Sequence, residues 1–240
     1  MFNKIDRYKA EIDGLRPLQG DILKQIKDYY KIGLTYSSNA IEGNSLTETE
    51  TKILLEDGLT VGGKPIRDYY EATGHAKAYD YIYTITQGES INEEHIKTIH
   101  SLFYAQIDDA NAGHYRTERV IITGSKYPTA APDKISYLME KFAIWLSEHE
   151  DKLHPCEFAA LAHKEFVFIH PFIDGNGRVA RLLMNLCLMR KGYTIAIIPP
   201  ILRGEYIQLL EKAHQDDKSF INFIAERVEE TQKDLLRLFK

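Results

Sequence analysis

The stretch that decides the fold is His170-Pro-Phe-Ile-Asp-Gly-Asn-Gly-Arg-Val-Ala-Arg181. Apolar residues with helical spacing precede it and follow it, so it lies where one helix ends and the next begins. Pro171 has no backbone N–H and disfavours helical geometry at the residue before it, and we therefore expect the incoming helix to end at His170. Such a break brings the polar groups of the turn to one place.

The turn and the start of the outgoing helix are suited to binding phosphate. Gly175 and Gly177 allow backbone N–H groups to face outward at a helix N-terminus, where they attract an anion. Arg178 and Arg181 are neighbours at the start of that helix, and the planar fork of an arginine pairs with two phosphate oxygens. No Lys-Ser/Thr pair follows the glycines, so the stretch is not a Walker A loop.

Two further side chains of the stretch can take part in chemistry. Asp174 is an oxygen ligand suited to Mg²⁺, which proteins typically bind through one or two carboxylates together with phosphates and water. His170, with an unperturbed pKa of about 6.5, can accept the proton of an attacking hydroxyl when its imidazole is neutral. Each feature alone is more often structural, but their order between two helices predicts a nucleotide site with a base beside it.

The composition is that of an ordinary soluble globular protein. The chain has 240 residues, of which 44% are hydrophobic and 27% are charged. A net charge of -5 argues against a dedicated nucleic-acid binder, and no nucleic-acid partner is expected. We find no apolar run long enough to span a bilayer and no signal peptide, which predicts a cytoplasmic protein without a membrane partner. Cys156 and Cys187 lie in helical patterns and are expected to be reduced core thiols.

Helical periodicity dominates the rest of the chain. Ser45 and Glu48 have the spacing of a capping box, which would start a helix that closes at Gly58. Residues 107–132 break the helical rhythm, and the β-branched run and Gly-Ser turn at 120–128 predict a short hairpin. The sequence therefore predicts an all-α fold, a helical bundle with a small β-hairpin. The other main predicted helices cover residues 4–14, 18–31, 65–86, 133–148, 155–169, 203–214 and 217–238.

The motif at 170–181 resembles the full HPFx(D/E)GNGRxxR signature of the Fic family. Proteins of that family typically transfer AMP from ATP to a hydroxyl side chain of a target protein. The resemblance covers about residues 65–215, which would form the Fic core. Residues 1–64 would be an N-terminal helical extension, and residues 216–240 a C-terminal helix packed on the core in a single compact unit.

The resemblance implies a role for each position of the motif. His170 would be the general base that deprotonates a Ser, Thr or Tyr hydroxyl of the target, and Asp174 would hold Mg²⁺ between the α- and β-phosphates of ATP. The target could be another protein or the chain itself. The phosphate-binding residues would be an anion hole of Gly175, Asn176 and Gly177, a phosphate contact from Arg178, and a γ-phosphate contact from Arg181.

The resemblance also extends outside the motif, to Gly113-His-Tyr-Arg116 and to the hairpin. The hairpin resembles the family's flap, which would pair with target backbone as an added strand. Tyr206 stands where family members often place an aromatic residue near the adenine. His214 lies in a similar neighbourhood, although it is equally well explained as a surface histidine of a helix. The flap residues are Ile122, Thr123, Gly124 and Ser125.

A short polar segment before the core carries a second resemblance. Ser38 and Glu42 are four residues apart, hence on one face if helical, and Gly43 follows. Asn39 with Glu42 can also be explained as a helix cap. The segment resembles the (S/T)xxxE(G/N) inhibitory motif of the Fic family, in which the glutamate reaches the second arginine of the core motif. Glu42 paired with Arg181 would then misplace the phosphates of ATP, making this a self-inhibited member of the class with an N-terminal inhibitory helix.

Other functions stay open at the level of sequence. In some family members the inhibitory glutamate also assists hydrolytic removal of AMP. A relative could use the same cradle to pass a phosphate, UMP or phosphocholine, or could bind nucleotide without transfer, and a homodimer is possible. A metal enzyme is disfavoured because the histidine spacings match no familiar zinc pattern. The histidines considered for it are His149, His154, His163 and His170.

Overall fold

Ten α-helices build the part of the chain that the structure, a computed structural model, describes, namely residues 2–16 and 20–239. Two short 3-10 turns, Pro132–Lys134 and Pro200–Leu202, precede α6 and α9. The predicted all-α fold is confirmed. The helices are α1 (Asn3–Asp13), α2 (Gly20–Ile41), α3 (Glu48–Asp57), α4 (Ile66–Thr84), α5 (Glu93–Tyr104), α6 (Ile135–His149), α7 (Pro155–Ile169), α8 (Asn176–Arg190), α9 (Arg203–Lys212) and α10 (Lys218–Leu238).

The core centres on α8, which is buried along nearly its whole length. A helix that is apolar on all sides belongs in the middle of a bundle, and α7, α4, α5 and α2 contact it. Asn185, in the buried middle of α8, pins the connector that follows the helix. Its side-chain oxygen accepts the N–H of Ala196 at 2.7 Å and its amide donates to the carbonyl of Ala196 at 3.2 Å. The connector after α8 is thereby fixed to the buried middle of the helix.

Helix α2 runs further than its periodicity predicts and carries the polar segment. It extends to Ile41, so Ser38 and Glu42 lie at its C-terminal end rather than in a separate short piece. Asn39 is buried inside the helix and does not cap it. The segment stays helical because α4 and α8 pack against its end, and tertiary packing overrides weak local propensity.

The start of α3 differs from the prediction by two residues. The capping box is formed by Thr47 and Glu50, not by Ser45 and Glu48. Ser45 instead donates its backbone N–H to Asp68 of α4 at 2.8 Å. Its tertiary contact takes precedence over a local cap, and the turn after α2 is tied to α4. The division of the chain into 1–64, 65–215 and 216–240 stays a prediction.

The predicted hairpin is a loop with a turn at its tip. Across the described residues 117–131 no strand is formed. Ser125 donates its N–H to the carbonyl of Ile122 at 3.1 Å, and Gly124 takes a φ of 89° that suits glycine. The two arms are joined by the Thr129 hydroxyl, which donates to the carbonyl of Val120 at 2.7 Å. A side chain thus replaces the backbone ladder, as an isolated two-stranded hairpin is marginal. From here on, the name flap refers to the whole loop, residues 117–131, which includes the predicted flap residues 122–125.

A search for a membrane-crossing segment among the helices of the described residues finds none with the length and apolar character required.

Candidate active site

His170 ends α7 in a conformation that few residues other than glycine adopt, and the predicted helix end is confirmed. Its backbone is left-handed, with φ 53° and ψ 59°, and it is the only non-glycine residue with positive φ in the described chain. Arg116 fixes this geometry by donating from Nε to the carbonyl of His170 at 2.8 Å and from its backbone N–H to that of Pro171 at 2.9 Å. Such strained backbone clusters at functional sites.

The imidazole of His170 is prepared to act as a base. Its Nδ1 is buried and has no hydrogen-bond partner among the described residues. Burial lowers the pKa of the His170 ring from 6.5 to about 4. The ring is therefore neutral at pH 7, and a neutral imidazole can accept the proton of a hydroxyl.

The turn that follows is held by the Asn176 side chain. Its oxygen accepts the N–H of Phe172 at 2.9 Å and its amide donates to the carbonyl of Phe172 at 2.8 Å. Gly175 takes a φ of 78°, and a Cβ there would come within 2.9 Å of the Phe103 ring. The side chain of Asn176 thus shapes the turn. The backbone N–H of Gly175 is taken by Asp174, which leaves those of Asn176 and Gly177 for an anion at the start of α8.

His100 of α5 ties the same turn to the chain before the flap. Its Nδ1 accepts the N–H of Gly113 at 2.8 Å, so the ring proton lies on Nε2, which donates to the carbonyl of Asp174 at 3.1 Å. The ring stacks on Phe172 with centroids 3.8 Å apart. Burial lowers the pKa of His100 to about 4, which keeps this neutral tautomer in place at pH 7.

The Asp174 carboxylate stands at the open side of the turn, with 42% of its side chain exposed. Oδ1 accepts the N–H of Gly175 at 2.6 Å and lies 3.5 Å from Nη2 of Arg178, while Oδ2 accepts from Nη2 of Arg67 at 2.6 Å. Burial acts to raise the pKa of Asp174, but Arg178, the Gly175 N–H and Arg67 together lower it. The carboxylate is ionised at neutral pH.

The residues around Asp174 fit a Mg²⁺ ion that arrives with a nucleotide. In the described chain no three His, Cys, Asp or Glu side chains gather into a group that could hold a metal ion by themselves. Mg²⁺ bound with nucleotides usually takes one or two carboxylates and completes its shell with phosphate oxygens and water. An ionised, partly exposed Asp174 beside the N-terminus of α8 supplies that carboxylate.

Arg178 is buried but stays in contact with charge of the opposite sign. Its Nη1 lies 2.9 Å from Oε1 of Glu71, a buried carboxylate of α4. Its guanidinium lies over the ring of Phe103 at 4.4 Å from the centroid. The arginine is thus fixed by α4 and α5, and its edge toward Asp174 is the part nearest the anion-binding turn.

Arg181 is only 2% exposed and is held from two sides. Its Nε donates to the hydroxyl of Ser38 at 2.9 Å and its Nη2 to the Ser38 carbonyl at 2.8 Å. Nη2 also donates to Oε1 of Glu42 at 2.8 Å. The hydroxyl of Tyr206 lies 3.4 Å from Nη1. The structure thus brings the end of α2 onto the second arginine of the motif.

Glu42 is the more accessible partner of this ion pair. Over a third of its side chain, 36%, is exposed. Burial acts to raise the pKa of Glu42, but Arg181 and then Arg178 lower it, so the carboxylate is charged at neutral pH. A Cβ at Gly177 would overlap its Oε1, so glycine at this position leaves room for the carboxylate beside the turn.

Tyr206 serves Arg181 with its hydroxyl. It is almost fully buried, and its hydroxyl donates to Nε2 of His163 at 2.9 Å because Arg181 can only donate to it. Burial lowers the pKa of His163 to about 3, so this histidine is a neutral acceptor. Tyr206 also lines the cavity described next, and its role near an adenine stays a prediction.

A cavity of about 400 Å³ opens between the motif, the flap and α9. Glu211 of α9 holds the flap against it, accepting the hydroxyl of Ser125 at 2.9 Å and the N–H of Lys126 at 2.7 Å. Thr123 and Gly124 are exposed at the tip. The cavity walls include Glu42, Ile122, Thr123, Gly124, Ser125, His170, Gly177, Tyr206 and His214.

His214 lines this cavity as the middle ring of a stack. The Phe168 ring stacks on His214 with ring centroids 3.5 Å apart. The Tyr127 ring of the flap also stacks on His214, with centroids 3.7 Å apart. Gln215 donates to the Tyr127 hydroxyl at 3.0 Å. The stack joins the flap to the turn after α9 and to the end of α7.

Four residues at the site were not assigned by sequence reasoning. Arg67 and Glu71 contact the arginine and carboxylate of the motif, but in the sequence they have the i, i+4 spacing of a surface ion pair. His100 lies on a helix far upstream of the motif. Glu211 could have been suspected only from its place on the helix that carries Tyr206, three residues before His214.

Known proteins resemble this chain over almost its full length. The model of the Fic/DOC family matches residues 90–188. The protein adenylyltransferase Fic of Drosophila yakuba is 37% identical over 95% of this chain and 46% of that protein. That of Drosophila virilis is 40% identical over 82% of this chain and 41% of that protein. The chain therefore spans less than half the length of these curated relatives.

Solved structures give the same result. A Fic domain-containing signaling protein from Bacteroides thetaiotaomicron superimposes with a TM-score of 0.89 at 29% identity, covering 96% of this chain and 95% of that one. Fic-1 from C. elegans superimposes with a TM-score of 0.87 at 28% identity, covering 98% and 70%. Sequence and fold agree, and residues 90–188 of the chain are a domain of the Fic/DOC family.

Proposed function

We propose that the protein is a protein adenylyltransferase, which transfers AMP from ATP to a hydroxyl of a protein target. The observation that carries the proposal is the meeting of a neutral His170, the anion-binding turn and the flap around one cavity. The relatives named protein adenylyltransferase Fic support the same activity.

In the proposed reaction the α-phosphate of ATP lies over the turn at 175–177. A target hydroxyl, presented by the flap, gives its proton to His170 as its oxygen bonds to the α-phosphorus. The bond between the α-phosphorus and the bridging oxygen breaks, and pyrophosphate leaves with its charge balanced by Arg178 and Arg181. AMP is then joined to the target through a phosphodiester.

Asp174 is the residue that would hold Mg²⁺. The ion would neutralise charge on the phosphates as it develops. Arg178 stands beside the same carboxylate and would contact phosphate from the buried side. The exposed side of the Asp174 carboxylate faces away from Arg178, and there phosphate oxygens and water would complete the ligands of the ion.

We propose further that Glu42 restrains this activity. Its carboxylate occupies Nη2 of Arg181, which the γ-phosphate needs, and adds a negative charge beside it. ATP could bind with its phosphates displaced, and a displacement of about 1 Å can cost about 100-fold in rate. Because Glu42 is partly exposed whereas Arg181 is buried, the glutamate is the partner that can leave.

The test compares label from two positions of ATP. Purified Glu42→Gly protein is incubated with Mg²⁺ and ATP labelled in either the α- or the γ-phosphate, alone and with cell lysate. We expect incorporation from the α-label to rise about 10- to 100-fold over the unsubstituted protein, with none from the γ-label. Label on the purified protein alone would identify the chain itself as a target.

The matched control is Glu48→Gly, which removes an exposed glutamate on the neighbouring helix α3 and should leave incorporation unchanged. Transfer of the γ-label would establish phosphate transfer instead of AMP transfer. Incorporation of label from UTP but not from ATP would show that the donor is UTP. A rate unaffected by Glu42→Gly would remove the inhibitory role while leaving the transfer activity in place.

A further inference from the structure

Arg67 of α4 links the carboxylate of the motif to a second, buried carboxylate. Its Nη2 donates to Oδ2 of Asp174 at 2.6 Å, and its Nε donates to Oε1 of Glu71 at 3.0 Å. The side chain is 53% exposed, so it lies at the mouth of the site rather than in the core. One arginine therefore serves two carboxylates with different donors.

The two oxygens of Asp174 differ in their surroundings. Oδ1 faces the protein, where it accepts the N–H of Gly175 and lies near Arg178. Oδ2 is contacted by Arg67. A divalent cation bound through Oδ2 would be repelled by the Arg67 guanidinium at the same oxygen, so the two cations would compete for it.

Glu71 gives Arg67 a place to remain when it leaves Asp174. The carboxylate is buried and is held by Nη1 of Arg178 at 2.9 Å and by the amide of Asn44 at 3.0 Å. Nε and Nη2 belong to one rigid guanidinium, which can tilt about its Nε contact with Glu71. A change in the outer part of the Arg67 side chain is enough to free Oδ2.

We infer that Arg67 competes with the divalent cation for Asp174 and so sets the metal concentration that the protein needs. The inference rests on the proposed role of Asp174 as metal ligand. Arg67 is a positioning residue in this account, because it acts through Asp174. It neutralises the Asp174 carboxylate and holds it against the turn. When the metal–nucleotide complex binds, Arg67 leaves Asp174 and keeps its contact with Glu71.

Asn44 connects this competition to the inhibitory segment. It lies two residues after Glu42 and donates to Glu71, the same carboxylate that receives Arg67. The segment that follows α2 and the Arg67 side chain thus share one buried acidic group. The competition is nevertheless a local one, and it can be measured by metal binding alone.

The experiment measures Mn²⁺ binding in place of Mg²⁺. Free Mn²⁺ is followed by electron paramagnetic resonance during titration of the full chain saturated with a non-hydrolysable ATP analogue, after subtraction of the analogue's own binding. Arg67→Gln removes the competing charge, and Arg7→Gln removes an exposed arginine of α1 as a matched control. Asp174→Asn establishes which part of the binding belongs to the proposed site.

Because Arg67 is half-exposed, its contact should resemble a surface ion pair, and we expect Arg67→Gln to tighten the Mn²⁺ dissociation constant by about two- to fivefold. Arg7→Gln should leave the constant unchanged. An equal constant in Arg67→Gln and the unsubstituted protein, or weaker binding, would overturn the inference. Weaker binding would mean that Arg67 supports the metal–nucleotide complex instead of competing with it.

The outcome is independent of AMP transfer. If Mn²⁺ binding depends on Asp174 and tightens in Arg67→Gln, the competition holds even when no variant incorporates the α-label, and only the proposed activity fails. If Asp174→Asn binds Mn²⁺ as the unsubstituted protein does, the metal lies elsewhere. In that case the inference fails while the transfer assay still decides the proposed activity.

Discussion

The two ends of the proposed phosphate-binding region are built in opposite ways. At the Arg181 end the cation is buried and held by Ser38 on one side and Tyr206 on the other, and its acidic partner Glu42 is partly exposed. At the Asp174 end the arrangement is reversed. The acid belongs to the motif, and its outer partner Arg67 is the more exposed of the two.

The difference shows which residues can move. In each pair the motif residue has further contacts that keep it in place, namely Ser38 and Tyr206 for Arg181, and Gly175 for Asp174. The partner from the N-terminal part of the chain is the accessible member. In the proposed function, both ends of the site exchange a protein side chain for a part of a metal–nucleotide complex while the motif itself stays preformed.

The largest effect is expected between the two ends, at His170. In the Glu42→Gly background, His170→Ala should lower AMP transfer by about 100- to 10,000-fold, because the hydroxyl loses its base. The affinity for ATP, measured by calorimetry, should change less than about twofold, since His170 contacts no phosphate in the proposed reaction. Transfer that persists in the double variant would remove His170 from the base role.

The second effect is the loss of stability in acid, because both ends rest on neutral buried histidines. Burial lowers the pKa of His163, the partner of Tyr206, to about 3 and that of His100, the partner of Asp174, to about 4. Since these values lie below 6.5, the unfolded chain binds more protons than the folded chain as the pH falls. Stability is therefore full above pH 6.5 and is lost progressively between pH 6.5 and about 3.

Each such histidine can contribute a slope of up to about 1.4 kcal/mol per pH unit in that window. Urea denaturation at pH 7, 6 and 5 should show a decrease of several kcal/mol in the free energy of unfolding. His163→Gln should reduce the slope by about one proton. A free energy of unfolding that does not change between pH 7 and 5 would contradict the neutral, buried state of these rings.

The third effect separates the buried arginine from its accessible partner. Glu42→Gly leaves Arg181 buried without its carboxylate, and the free energy of unfolding should fall by about 1–3 kcal/mol, less than for a fully buried pair because Glu42 is partly hydrated. ATP with Mg²⁺ should return part of the loss, since its phosphates replace the carboxylate. The measurement is thermal unfolding with and without ATP.

In the matched control Glu48→Gly, ATP should raise the unfolding temperature by the same amount as in the unsubstituted protein. An ATP-induced shift in Glu42→Gly no larger than in that control would mean that the phosphates do not take the place of Glu42. At the Arg181 end, Glu42 would then not be exchanged for the phosphates of ATP.

The sequence predicts the parts of this arrangement that depend on local chemistry. Pro171 determines where α7 ends, and Gly175 permits the turn, because both act on the backbone at their own positions. The all-α fold follows from periodicity that extends over most of the chain. The pairing of Glu42 with Arg181 was expected only from the family resemblance, because nothing local relates two residues so far apart in the chain.

The remaining parts depend on how helices face each other. Arg67 and Glu71 have the spacing of a surface pair, and only the packing of α4 against α5 and α8 turns them toward Asp174 and Arg178. The β-branched run at 120–128 has strand propensity, but without a partner sheet its arms are joined by side chains. Tertiary contacts of this kind leave no periodic pattern in the sequence.

The smallest effect is expected at Tyr206, which tests how firmly Arg181 is fixed. Its hydroxyl accepts a long contact from Arg181 and donates a shorter one to His163, at 3.4 and 2.9 Å. Tyr206→Phe removes both, and Nε2 of His163 is left buried without a donor. The free energy of unfolding should fall by about 1–2 kcal/mol, which is mostly the cost of that unpaired nitrogen.

Catalysis should respond less than stability, because Ser38 continues to hold Arg181 through Nε and Nη2. In the Glu42→Gly background, Tyr206→Phe should raise the KM for ATP by about two- to threefold, the size of a weak neutral contact, and leave kcat unchanged. Ser38→Ala, which removes the shorter bond, should raise KM further. If Tyr206→Phe raised KM as much as Ser38→Ala, Arg181 would depend on the α9 side as much as on α2, and its fixed position could not be attributed to α2.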